Sequence, residues 1–78
     1  MAMFDYAIIL GKINQNQKSL DLFNQILRKN KYHLESYLSI AVIWQKLGNM
    51  KECLKSLQQA EEMCEKMKRY NLQSNKID

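Results

Sequence analysis

The most reactive side chains in this sequence are two cysteines, one histidine and a short group of carboxylates. Cys53 and Cys64 are eleven residues apart; on one helix this places them roughly 16 Å from each other, too far for a disulfide between them or for a shared metal ion. His33 has no accompanying acid and nucleophile, so we expect it to be solvated or to cap a helix. The carboxylates, Glu61, Glu62 and Glu65, are typical of a solvated helix face paired with nearby basic residues.

These residues do not form a catalytic or ligand-binding pattern. The sequence has no glycine-rich phosphate loop, no paired-cysteine metal motif and no nucleophile elbow. We therefore expect that the protein is not an enzyme and that it has neither a metal site nor another cofactor. We expect both cysteines to serve as small apolar residues in a reducing compartment, the alternative being a disulfide with another chain. This predicts an intracellular protein, with cytoplasm and organelle interior left open.

The composition favours one helical domain. The chain has 78 residues, of which 46% are apolar and 26% charged, and this balance is typical of a globular protein. Proline is absent and there are only two glycines, which favours uninterrupted helices. The apolar run over residues 1–13 is interrupted by Asp5 and is shorter than the roughly 20 residues that a membrane-spanning helix requires. We therefore expect no membrane span and no targeting segment.

The chain repeats itself once, at a spacing of 34 residues. Ala7 corresponds to Ala41, and Asn14 corresponds to Gly48. Most pairs keep the size of the side chain rather than its identity, and a period of this length is typical of stacked helical hairpins. The other pairs are Met3 with Tyr37, Tyr6 with Ile40, Leu10 with Trp44, Ser19 with Cys53, Phe23 with Leu57, and Ile26 with Ala60.

Apolar periodicity predicts four helices, over residues 2–13, 17–29, 34–47 and from 50 to at least 67. Asn14 or Asn16 is expected to end the first helix, because asparagine tolerates the left-handed backbone conformation. Gly48 is expected to end the third for the same reason. Residues 71–78 form a polar tail without periodicity, which we expect to fray.

The residues at these repeated positions resemble two tetratricopeptide repeats. The second repeat matches better, through Tyr37, Ile40, Ala41, Trp44, Gly48, Cys53, Leu57 and Ala60. The resemblance implies an all-α fold of two tandem helix-turn-helix hairpins in a short right-handed α-solenoid. Residues 1–70 would form one domain, with repeat one at about 1–33 and repeat two at about 34–67. The proline that ends this family's repeats is replaced by Lys31 and Glu65, which predicts an extended fourth helix.

In that family the first helix of each hairpin lines a concave groove. The resemblance places Met1, Phe4, Ile8 and Gly11 in this groove from the first repeat, and Glu35, Leu38, Val42 and Gln45 from the second, with Lys12 and Lys46 at the rims. Apolar side chains here make the first and third helices hydrophobic nearly all round, which indicates a contact surface. The alternative is a closed four-helix bundle that uses the same side chains as its core. The predicted partner-binding residues are Phe4, Ile8, Leu38, Val42, Gln45, Lys12 and Lys46.

The resemblance predicts a protein–protein interaction module that acts as a small adaptor, an assembly factor or an accessory subunit of a larger complex. One class of the family grips the carboxylate tail of chaperones with Lys and Asn, but this sequence has Phe4, Ile8 and Ser39 at those positions. The expected partner is instead an apolar helix or segment, or a second copy of the chain. The alternative is an RNA-binding protein similar to pentatricopeptide repeats. The net charge of +4 is spread evenly, so we expect no nucleic-acid track.

Overall fold

The computed structural model describes the backbone of residues 2–76 and the side chains of residues 2–69. It contains four α-helices, and no strand occurs within the described range: α1 (Met3–Lys12), α2 (Asn16–Lys29), α3 (Leu34–Lys46) and α4 (Met50–Lys76). The all-α prediction is therefore confirmed, and the predicted starts and ends of the first three helices agree to within one residue. Met1, which the resemblance places in the groove, lies outside the described residues.

The turns after α1 and α3 have the same backbone geometry. Asn14 and Gly48 both adopt the left-handed conformation, with φ of 65° and 79°. After α1, the N–H of Gln15 donates to the Leu10 carbonyl over 2.8 Å; after α3, the N–H of Asn49 donates to the Trp44 carbonyl over 2.9 Å. These bonds satisfy carbonyl groups that a helix end leaves without partners. The 34-residue spacing in the sequence is thus also a spacing between equivalent turns.

The helices pack in chain order. α1 packs against α2, α2 against α3, and α3 against α4, while α1 also contacts α3. Within the described residues α4 does not reach α1, as it would in a closed four-helix bundle. The Cα atoms extend over 48 × 31 × 16 Å. The 27-residue α4, roughly 40 Å long at ~1.5 Å per residue, accounts for most of the longest dimension.

The core lies where the first three helices meet. Ala7 of α1, Leu20 and Phe23 of α2, and Ile40 and Ile43 of α3 form one buried cluster. Leu20 and Phe23 follow the three-to-four-residue spacing that places side chains on one face of a helix, as do Ile40 and Ile43. Burial of each of these large apolar side chains stabilises the fold by about 1.5–3 kcal/mol.

The fourth helix is much longer than the other three. It has 27 residues and ends at Lys76, in keeping with the predicted extension past Met67. The sequence predicts a frayed tail from residue 71, whereas the structure continues the helix through residues 71–76. The chain contains neither glycine nor proline after Gly48, and helix propagation costs little once a helix has formed. Residues 77 and 78 of the predicted tail lie outside the described range.

Candidate functional site

A cleft of about 340 Å³ opens between α1 and α3. Its floor is formed by buried side chains of the core, including Ala7, Phe23 and Ile43. Ile8 of α1 and Val42 of α3 lie on its two walls, and Lys12 and Lys46 lie in the last turns of the same two helices. The cleft is therefore an apolar channel with two cationic groups at one end.

The floor of the cleft depends on a close approach between α1 and α2. Ser19 is fully buried, and its hydroxyl donates a 2.7 Å hydrogen bond to the carbonyl oxygen of Ala7. Gly11 lies next to this contact: a methyl group on its Cα would be 3.4 Å from Ser19 Oγ and 3.9 Å from Ile43 Cδ1. Small residues at positions 7, 11 and 19 thus let the helices meet without a gap.

Lys46 joins the ends of α1 and α3 at the mouth of the cleft. Its Nζ donates a 2.7 Å hydrogen bond to the carbonyl oxygen of Gly11. That carbonyl is in the last turn of α1, where the helix dipole favours a cation. Lys12 is exposed, so its charge is available to a molecule that enters the cleft.

Four of the seven predicted binding residues line this cleft: Ile8, Val42, Lys12 and Lys46. Leu38 and Gln45 do not line it, although both are exposed and lie one helical turn to either side of Val42. Leu38 and Val42 are 48% and 55% exposed. Neither is a core side chain of the described fold, which contradicts the closed-bundle alternative for these two residues.

Phe4 lies in a different environment from the other predicted binding residues. It is half-buried, and its ring packs edge-on against Phe23, with 5.7 Å between ring centroids and 64° between planes. The ring of His33 lies 5.1 Å from it on another side. Phe4 therefore supports the core under the cleft, and any contact with a partner involves only its exposed part.

Four lining residues of the cleft are absent from the groove set that the resemblance implies: Ala7, Ser19, Phe23 and Ile43. Ser19 also forms the hydrogen bond of the floor, while Ser39, a groove position of the resemblance, does line the cleft. The signal for Ser19 was present, since a small polar residue at a repeated small position needs a hydrogen-bond partner when buried. Ile43 belongs to the apolar run of α3, and sequence periodicity alone does not decide which neighbour it faces.

The chemically reactive residues do not converge on the cleft. Cys53 and Cys64 are free thiols on α4, buried and half-buried respectively. His33 is the N-cap residue of α3, and its Nδ1 is 2.7 Å from Ser36 Oγ. Among the described residues, no group of three or more His, Cys, Asp or Glu side chains is placed to hold a metal ion. Within residues 2–76, no helix combines the length and apolar character needed to cross a bilayer.

Comparison with known proteins does not identify a family for this chain. No protein-family model matches the chain, and no curated protein or solved structure matches it either.

Proposed function

We propose that the protein is an interaction module of tetratricopeptide type, which binds an apolar segment of a partner protein in the cleft between α1 and α3. It would act as an adaptor, an assembly factor or an accessory subunit inside the cell. The observation that supports this most strongly is the exposure of Leu38 and Val42 beside an apolar cleft. Exposed, adjacent apolar side chains are frequently interaction surfaces.

The size and shape of the cleft favour a peptide segment over a large flat partner. A volume of about 340 Å³ is at the lower end of the range for small-molecule pockets, so it accommodates a few apolar side chains. An amphipathic helix presents such side chains at three- and four-residue spacing. Leu38, just beyond the cleft, extends the apolar contact along α3.

The two lysines add a preference to this apolar contact. Lys12 and Lys46 are both in the final turns of their helices, so a carboxylate of the partner would meet positive charge at that end only. We therefore propose a partner segment that is apolar and has an acidic residue on one flank. Such charge at a rim mainly affects the association rate and its salt dependence.

An RNA-binding function has less support. Single-stranded RNA is bound by aromatic side chains that stack on bases and by a track of positive charge along the backbone. The cleft walls are aliphatic, and the described lining includes only two cations, Lys12 and Lys46.

Selection of helical peptides from a displayed random library tests the protein-binding proposal. Peptides that bind the wild-type chain should share spaced apolar residues and one acidic flank, and their affinity is then measured by fluorescence anisotropy. Leu38→Asp and Val42→Asp should each lower affinity by at least roughly 30-fold, since a carboxylate replaces a central apolar contact. Both residues are exposed, so circular dichroism should retain the helical signal.

Leu54→Asp is the matched control. Leu54 is an exposed leucine on α4, away from the cleft, so the same substitution there should leave peptide affinity unchanged. Equal loss in Leu54→Asp and Leu38→Asp would contradict the cleft as the binding site. Unfolding by Leu38→Asp would instead assign that residue to the core. Salt-sensitive binding of single-stranded RNA, with no selected peptide, would favour the alternative function.

A further inference from the structure

Inside the chain, the two hairpins meet where one face of α2 packs against one face of α3. The equivalent face of α4 and the equivalent face of α1 lie at the two ends of the molecule, and both are exposed. Inside the chain, Leu20 and Phe23 of α2 pack with Ile40 and Ile43 of α3. These four side chains are only 1–7% exposed.

The equivalent residues, 34 positions away, are apolar too. Leu54 and Leu57 of α4 correspond to Leu20 and Phe23, and they would face a helix that followed α4 as α3 follows α2. Tyr6 and Ile9 of α1 correspond to Ile40 and Ile43, and they would face a helix that preceded α1. These four side chains are 41–57% exposed.

We propose that two copies of this chain stack end to end, with α4 of one molecule packed against α1 of the next. The contact would repeat the α2–α3 junction that the chain already contains. The two hairpins end their first helices with the same turn geometry, so the new junction would bring together two hairpins whose internal turns match those of the hairpins at the internal junction.

A polar contact that joins the two hairpins inside the chain, from α3 to α1, would also recur between copies. Lys46 Nζ donates to the Gly11 carbonyl inside the chain. Between copies, the equivalent donor is Lys12 of the second molecule and the equivalent acceptor is the Gln45 carbonyl of the first. Lys12 is exposed and in the last turn of α1, as this contact requires.

The charges that differ between the two junctions favour the stacked arrangement. Glu61 stands where the internal junction has Leu27, and Lys51 stands where it has Gln17. Inside the chain, Leu27 is at the end of α2 that leads into the start of α3, and Gln17 lines the same surface pocket as Trp44, which is near the end of α3. Glu61 would therefore lie near the amino end of the neighbour's α1 and Lys51 near its carboxyl end. Both signs match the helix dipole.

This contact is heterologous, because a different face is used on each molecule. Every stacked pair retains one free α4 face and one free α1 face, so association continues as concentration rises. Apart from Lys12, which also lines the cleft, the proposal concerns other surfaces, so the apolar contact does not depend on what the cleft binds.

Sedimentation equilibrium from micromolar to millimolar concentration tests the proposal. The average mass of the wild-type chain should rise beyond that of a dimer. Leu54→Asp removes the α4 face and Tyr6→Asp removes the α1 face, and each variant alone should remain monomeric, with association weakened at least roughly 30-fold. An equimolar mixture should form a dimer that does not grow, because each variant retains the face that the other lacks.

The mixture also shows whether both variants are folded, since only intact faces can pair. Leu38→Asp, which alters the cleft, should stack like the wild type. A wild-type chain that stays monomeric at millimolar concentration overturns the proposal. So does a dimer that survives both end substitutions but is lost in Leu38→Asp, since it would form through the cleft. A symmetric dimer that persists in Tyr6→Asp alone overturns it as well.

Discussion

The hydroxyl of Ser19 donates a buried hydrogen bond to the carbonyl oxygen of Ala7, and this contact holds α2 against α1 beneath the cleft. The equivalent position in the second hairpin is Cys53, also buried. Both hairpins therefore bury a small side chain at this position of their second helix. The residue at this position is a hydroxyl-bearing serine only in the first hairpin, which forms the floor of the cleft.

Ser19→Ala should destabilise the protein by about 1 kcal/mol, the usual net contribution of an intramolecular hydrogen bond. The better helix propensity of alanine offsets part of this loss. For a chain of this size, 1 kcal/mol corresponds to roughly 4–8 °C in Tm. Ser19→Cys, which copies the second hairpin, is the matched control and should lose less. If Ser19→Ala melts at or above the wild-type temperature, the hydrogen bond contributes nothing to stability.

Lys46→Met should lower the free energy of unfolding by about 0.5–1 kcal/mol. The substitution keeps most of the aliphatic stem but removes the hydrogen bond to the Gly11 carbonyl and the cation beside the end of α1. Urea denaturation measures the change. Lys12→Met is the control, because within the described residues Lys12 Nζ makes no comparable bond. Equal effects of the two substitutions would mean that the loss reflects general charge rather than the contact with α1.

The sequence predicts the helix ends well because local chemistry decides them. Asn14 and Gly48 are the two residues of the turns that adopt positive φ, and few other residue types tolerate that conformation. The repeat also locates the small residues Ala7 and Ala41, both of which are buried. These features depend on residue type and spacing alone.

The remaining features of the site depend on which side chains meet across the fold. Residue types do not show that Lys46 reaches the Gly11 carbonyl, because the bond joins residues 35 positions apart. The same holds for Phe4. Its position in the repeat predicts that it lines the groove, yet its ring packs against Phe23. Sequence periodicity predicts the face of α1 on which Phe4 lies, but it does not predict the side-chain rotamer. The rotamer decides whether the ring packs on the core or faces the groove.

The two glycines should respond in opposite ways to alanine. Gly48 has φ of 79°, and a methyl group there would meet no atom within 4 Å, so the cost of Gly48→Ala is purely one of backbone conformation. We expect a loss of about 1–2 kcal/mol. Gly11→Ala puts its methyl at ordinary contact distance in a helix, and a gain of about 0.5 kcal/mol is expected from propensity. Thermal denaturation of both variants checks the pair; destabilisation by Gly11→Ala would mean that α1 and α2 cannot accommodate one methyl group.

Phe4→Ala distinguishes a supporting role from a binding role for this aromatic ring. Because Phe4 is half-buried and packs edge-on against Phe23, its removal should cost about 2 kcal/mol, less than the roughly 3–5 kcal/mol typical of a fully buried phenylalanine. Phe4→Leu, which keeps an apolar side chain, should recover about half of that loss. Chemical denaturation measures both stabilities, and anisotropy with a selected peptide measures binding. If Phe4→Ala retains wild-type stability but loses peptide affinity, Phe4 belongs to the contact surface with Leu38 and Val42, and its packing on Phe23 contributes little.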